Sequence, residues 1–216
     1  MTAPGENAEL QSRAESAPIV FGVSGHRDPV SDDIPQLRAQ LEFVFSRFRA
    51  AYPNTPFQLL SPLAEGADRL AAEAALTCQI KLLVPMPMSQ EEYERDFPSA
   101  ASLEEFRRLL AEAESYWEGP SAQSRTEQYA AVGDYIARKS NVLILLWDGL
   151  DNDKVGGTAW VNKRREYWVA AARSAGHQTD GSEYGPTIQI VTPRLATAGR
   201  AQERPRVEII GNLPGD

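Results

Sequence analysis

Apolar, β-branched runs at residues 19–23, 57–60, 80–84, 142–146, 188–191 and 207–210 alternate with longer stretches of helical spacing, which predicts an α/β fold. The first four runs lack polar alternation and read as parallel strands covered on both faces by helical crossovers. Between the first two, Ile34, Leu37, Leu41, Val44, Phe45 and Phe48 mark one face of an amphipathic helix, with Pro35 in its first turn and Pro53 closing its exit. Residues 66–76, rich in Ala, predict a compact helix that packs closely on the sheet. Leu103, Phe106, Leu110, Ala113 and Trp117 form another helical stripe, with Ser102 and Glu105 spaced as a capping box. Residues 129–139 and 158–173 complete the helices, and residues 176–186 are a loop.

The resulting order, β-α-β-α-β-α-α-β-α-β with a last short strand, predicts a Rossmann-like three-layer α/β fold with a mainly parallel sheet of about five or six strands. The expected organisation is one domain over residues 18–211 between a flexible N-terminal tail, 1–17, and a C-terminal tail, 212–216. The segment 85–99, PMPMSQEEYERDFPS, is long for a simple connection and has the character of a lid, although Tyr93, Arg95 and Phe97 would equally fasten a loop to the surface. Met86 and Met88 read as packing residues.

Three of the apolar runs stop abruptly at polar loops. Ser24, Gly25, His26, Arg27 and Asp28 follow the first run, Ser61 to Asp68 (SPLAEGAD) follows the second, and Asp148 with Gly156, Gly157 and Thr158 follows the fourth. In an open parallel sheet these loops gather at the C-terminal edge, where ligands bind beside strands whose connections leave for opposite faces. One shared site is therefore expected, flanked by SGHRD and residues 147–158 if the first and fourth strands are neighbours.

Both Gly66 and the pair Gly156, Gly157 stand before a helix, whose free amides and positive dipole end suit phosphate or carboxylate oxygens. Arg27 and Arg69 each offer a fork of donors to a phosphate. Helix starts of this composition also serve as plain caps. His26 is read as a ligand contact, as an acid or base, or as a turn-stabilising group. Asp68 suits capping, orienting Arg69, or accepting a ribose hydroxyl; Asp148 suits ribose binding or fixing the Gly149 turn.

Composition narrows the partners. A formal charge of −8 opposes broad contact with nucleic-acid backbones, and the NKRR run at 162–165, basic enough to suggest nucleic-acid contact, reads better as a solvated helix face. Cys78 is the only cysteine and fits a reducing compartment; His26 and His177 are the only histidines, so neither a metal nor a cofactor is expected. No apolar run is long enough for a membrane span and the N-terminus lacks signal-peptide features, which predicts a cytoplasmic protein without membrane partners. Nucleotide-hydrolase, dinucleotide-binding, nucleophile-elbow and HExxH signatures are absent. Trp147, Trp160 and Trp168 read as core or interface residues.

Taken in order, GVSGHRD, SPLAEGADRLAAEAAL, PMPMSQEEYERDF and NVLILLWDG with GGTA resemble a bacterial branch of the SLOG superfamily, over roughly residues 18–191. This Rossmann-like group unites DNA-processing protein A with the Lonely Guy phosphoribohydrolases. The resemblance implies binding or sensing of a nucleotide or nucleotide-derived molecule, as in bacterial nucleotide-signalling and anti-phage systems, through a separate effector protein or as an enzyme in its own right. A homodimer is implied only by analogy with related folds. The enzymatic alternative is an N-glycosidic hydrolase of nucleotides, with Glu65, Asp68 and Asp148 as the candidate carboxylates. Gly156, Gly157 and Thr158 match part of the Lonely Guy PGGxGTxxE motif, but Val161 stands where its catalytic glutamate belongs, and Glu166 lies about a turn further on. Single-stranded DNA binding, as in DNA-processing protein A, ranks third.

Overall fold

The computed structural model describes residues 17–151, 154–174, 184–195 and 205–210. The tail 1–16, residues 211–216, His177 and most of the 176–186 loop lie outside the described residues.

Seven strands form one sheet: β1 (Ile19–Gly25), β2 (Phe57–Leu60), β3 (Lys81–Met86), β4 (Ser115–Glu118), β5 (Val142–Trp147), β6 (Thr187–Val191) and β7 (Arg206–Ile210). Their order is β4-β3-β2-β1-β5-β6-β7. Every neighbouring pair is parallel except β6 with β7, which is antiparallel. The helices are α1 (Ile34–Ala51), α2 (Ala67–Thr77), the short α3 (Gln90–Glu94), α4 (Ala100–Ala111), α5 (Arg125–Lys139) and α6 (Thr158–Ser174).

The apolar stripes of the helices divide between the two faces of the sheet. Phe21, Leu37, Phe45, Leu59, Ala71, Leu82, Phe106 and Ile144 belong to a core on the α1, α2 and α4 side. Leu60, Val132, Ile136, Leu143, Leu145 and Val161 form the core under α5 and α6, with Trp147, Trp160 and Trp168 packed against it. The central strands β1 and β5 are thus covered on both faces, which explains why they carry apolar residues without alternation. Among the described residues, no helix is long and apolar enough to cross a membrane.

The structure differs from the sequence pattern at identifiable places. Trp117 belongs to β4, not to a helix: α4 ends at Ala111, and Glu114 N–H donates to Leu82 O at 2.9 Å, starting a four-residue edge strand beside β3. A strand so short and mostly exposed has no alternating signature, so a helical spacing ran through it by coincidence. Ser99, rather than Ser102, caps α4, accepting from Ser102 N–H at 3.1 Å. Helix α5 begins at Arg125, one turn before the expected 129, with a capping box between Ser124 and Glu127.

The 85–99 segment is anchored rather than lid-like. Pro85 and Met86 belong to β3, and Tyr93 and Phe97 are buried in an edge-to-face cluster with Phe106. Met88 is buried as well, and exposed Arg95 pairs with Glu91 and Glu92. In the NKRR run, Arg165 is fully buried, contrary to a solvated face. Its guanidinium donates to the carbonyls of Ala137, Ser140, Asn141 and Gly185 at 2.6–3.1 Å, gathering the acceptors left open where α5 ends. Burial without a carboxylate partner lowers its pKa to about 10.

Candidate functional site

The register of the sheet creates the site. Strand β1 pairs with β2 on one side and β5 on the other, and Gly25 lies opposite Leu146. From β1 the chain moves outward through β2 and β3 to β4, then returns to β5 and continues outward to β6 and β7. The point between β1 and β5 is therefore where successive connections part to opposite faces, and the polar loops after both strands face each other there.

A cavity of about 550 Å³ occupies this point. Its walls come from the β1 end (Ser24, Gly25, His26, Arg27), from Asp68 on α2, from Tyr129 and Gly133 on α5, and from Gly156, Gly157 and Thr158 at the α6 start. Arg27, Arg125, Lys154 and Arg194 line it together with the carboxylates Asp68 and Asp96; Arg125 is paired with Asp96 and Arg194 with Asp28. Val132, Ile136, Val161, Val155 and Trp147 supply apolar wall.

Of the residues expected at the site, Ser24, Gly25, His26, Arg27, Asp68, Gly156, Gly157 and Thr158 meet in this cavity, whereas Ser61, Glu65, Gly66, Arg69 and Asp148 lie outside its lining. The second group is engaged within the protein. Gly66, at φ +80°, lets the chain pass so close to the first loop that a Cβ would sit 2.5 Å from Arg27 O. The Ala67 amide donates to His26 O at 3.0 Å, and Ser61 Oγ donates to Asp68 O at 3.0 Å.

Arg69 is buried and ties α2 to α4. Its Nε donates to Leu63 O at 3.1 Å, and its Nη1 donates to Ser102 O and Oγ and to Glu105 Oε2 at 2.7–3.0 Å. The guanidinium also lies 4.5 Å from the centre of the Phe97 ring. Glu65 accepts from the Ser102 hydroxyl. Ser102 and Glu105, spaced like a capping box, are instead the acceptors that hold Arg69.

His26 and Asp148 join the two central strands. The Asp148 amide donates to His26 Nε2 at 3.1 Å, and Asp148 Oδ1 accepts from Leu150 N–H at 3.0 Å across the Gly149 turn. Burial lowers the His26 pKa against the opposing pull of Asp148, so the neutral ring with Nε2 as an acceptor fits this contact.

Arg27 is exposed at the cavity mouth, its guanidinium 5.3 Å from the centre of the Tyr129 ring. The Tyr129 hydroxyl donates to Asp96, which also receives Arg125 Nη2 at 2.5 Å. Burial, with Asp96 next, raises the Tyr129 pKa to about 12, keeping the hydroxyl protonated.

Packed against Tyr129 and Ala130, Gly156 at φ +77° turns the chain into α6, and the Gly157 amide donates to Lys154 O at 3.0 Å. The following amides belong to the first turn of a helix and have no intrahelical acceptor, and Thr158 and Ala159 line the cavity. Val161, where the resemblance would place a catalytic glutamate, is a buried apolar wall residue, and Glu166 is exposed, accepting from Asn162 at 3.0 Å.

Tyr129, Asp96 and Arg125 were not foreseen as site residues. The capping box at Ser124 and Glu127 was the available signal, because it starts α5 early enough to carry Tyr129 toward the β1 loop.

No family model matches the sequence, and no curated protein matches it. Among solved structures, the chain is similar to DNA processing protein A from Streptococcus pneumoniae, with 17% identity and a TM-score of 0.49 over 70% of this chain and 48% of that one. It thus spans about half the length of that structure. It is also similar to DNA processing protein A from Helicobacter pylori, with 15% identity and a TM-score of 0.45 over 74% of each chain; that protein's structure was described for its single-stranded DNA binding mode.

Proposed function

We propose that the cavity between β1 and β5 binds a nucleotide or nucleotide-derived small molecule, with phosphate oxygens at the α6 start beside Arg27. The observation that carries this reading is the convergence, at the topological switch point, of an open glycine-led helix start with Arg27 and apolar wall in one cavity of about 550 Å³. That volume suits a single small molecule. The SLOG resemblance of the sequence supports the same reading, and a sensing role would act through a separate effector.

Binding is favoured over N-glycosidic hydrolysis by the carboxylates. Among Glu65, Asp68 and Asp148, Asp68 alone lines the cavity, and Val161 occupies the position of the Lonely Guy glutamate. Chromatographic assay for released base tests the enzymatic alternative directly. For single-stranded DNA, the net charge of −8 gives no broad basic track for a backbone.

Titration calorimetry against a panel of nucleotides, cyclic nucleotides and a short single-stranded oligonucleotide tests the proposal. Arg27→Ala should weaken the wild-type ligand by about tenfold or more, the range expected for a charge-assisted contact. Equal binding in both proteins removes Arg27 from the site, and no heat with any nucleotide overturns the reading.

A further inference from the structure

Asp68 sets a puzzle at the cavity. It stands at the second position of α2, its side chain lines the cavity, and it is only 6% exposed. Its Oδ1 has no hydrogen-bond partner among the described residues. A buried acceptor left unsatisfied costs free energy, and such an atom beside a cavity is a natural place for a ligand donor.

The surroundings limit what that donor can be. A phosphate is repelled by a carboxylate, and the α6 start with Arg27 already provides for one. A cationic ligand group would compete with Arg27 and Arg69, whose charges already act on Asp68. A neutral hydroxyl or amine remains, and a nucleotide brings both, on its sugar and on some of its bases.

Position favours the sugar. Asp68 shares the cavity with the groups proposed to hold phosphate, and the sugar is the part of a nucleotide joined to phosphate directly. Oδ1 is itself occluded, so the carboxyl must turn about its broad terminal torsion to present it, and the backbone contacts at Ala64 and Gly25 that act on the carboxyl make that turn part of the cost of binding.

Building on the nucleotide reading above, we infer that Asp68 accepts a hydrogen bond from a ribose hydroxyl of the ligand and makes the cavity selective for ribonucleotides over deoxyribonucleotides. Burial pushes its pKa up to about 7, against Arg27, the backbone at Ala64, Arg69 and the backbone at Gly25, so an incoming donor would also stabilise the charged form. A site built around a substrate hydroxyl rejects the analogue that lacks it, because the buried acceptor is then left open.

The test measures binding of the four 5′-ribonucleotides and their 2′-deoxy and 3′-deoxy counterparts to the full chain at pH 8. The expected result is that loss of one sugar hydroxyl weakens binding by about tenfold to a hundredfold, the range for hydrogen bonds to charged groups. Asp68→Ala should bind the ribo and deoxy forms alike. Equal binding of both forms by the wild type overturns the inference while leaving the nucleotide site standing, and so does a ribose preference that survives in Asp68→Ala. Selectivity that follows a base amine, seen as adenine bound more tightly than hypoxanthine with no effect of either deoxy form, also overturns it. If none of the nucleotides binds, the reading of the cavity itself fails. Should Asp68→Ala not fold, the wild-type comparison still decides the matter, and Asp68→Asn, nearly identical in shape, replaces it with an expected loss of most of the preference.

Discussion

Two helices at the C-terminal edge of the sheet follow a left-handed glycine, Gly66 at φ +80° before α2 and Gly156 at φ +77° before α6. As sequence they are the same signal. In the fold, the first amide of α2 is taken by His26 O, Ser61 supports its first turn from within, and Arg69 binds it to α4. The start of α6 opens into the cavity. A glycine-led helix start therefore specifies a tight backbone path, and whether that path holds a neighbouring loop or a ligand depends on what packs against it. Asp68 is the exception on α2, the side chain through which an otherwise closed helix start reaches the cavity.

The largest expected effect probes the closed side. Arg69→Ala leaves the Leu63 and Ser102 carbonyls without their donor and removes the tie between α2 and α4, and should cost roughly 3–5 kcal/mol in urea denaturation, with ligand affinity of the folded protein changed far less. A loss of affinity without a loss of stability would move Arg69 into the site and break the contrast between the two helices.

Asp68 separates the same two roles by pH. Its pKa is raised from 3.8 to about 7, so the fold favours the protonated carboxyl. The associated stability is fully present below the ordinary carboxylate pKa and is lost as pH rises through about 7. Asp68→Asn stays neutral throughout. Relative to wild type its stability should therefore gain with pH between about 4 and 7 and level off above, by roughly 4 kcal/mol in all at ~1.4 kcal/mol per unit. A gap independent of pH would show that the carboxyl is ionised without strain.

The glycines sharpen the comparison at a smaller scale. Gly66→Ala meets the Arg27 carbonyl at 2.5 Å in addition to the left-handed strain, and should destabilise by about 2–3 kcal/mol. At Gly156 the nearest atom is Ala130 N at 3.1 Å, so Gly156→Ala should cost about 1–2 kcal/mol while weakening nucleotide binding. Thermal unfolding beside calorimetry reads both, and equal effects of the two substitutions on binding would erase the distinction.

Much of this was legible along the chain. Continuous apolar runs identified the central parallel strands, because burial on both faces removes the polar alternation. That the loops after β1 and β5 flank one crevice was legible only on the condition that the two strands are neighbours, and the sheet order supplies that condition. Strand β4 escaped because four mostly exposed residues at a sheet edge bury too little to impose a pattern.

Residue type and local spacing thus determined most of the elements, the sheet class and the edge where the polar loops gather. Only the tertiary structure decided that Arg27 faces the cavity while Arg69 and Arg165 are interior ties, and that Ser102 and Glu105 serve Arg69 rather than their own helix. The physical reason is that a guanidinium has no intrinsic destination. Which carbonyls and carboxylates lie within its reach is set by the packing of helices far apart in sequence, and local pattern carries no record of that packing.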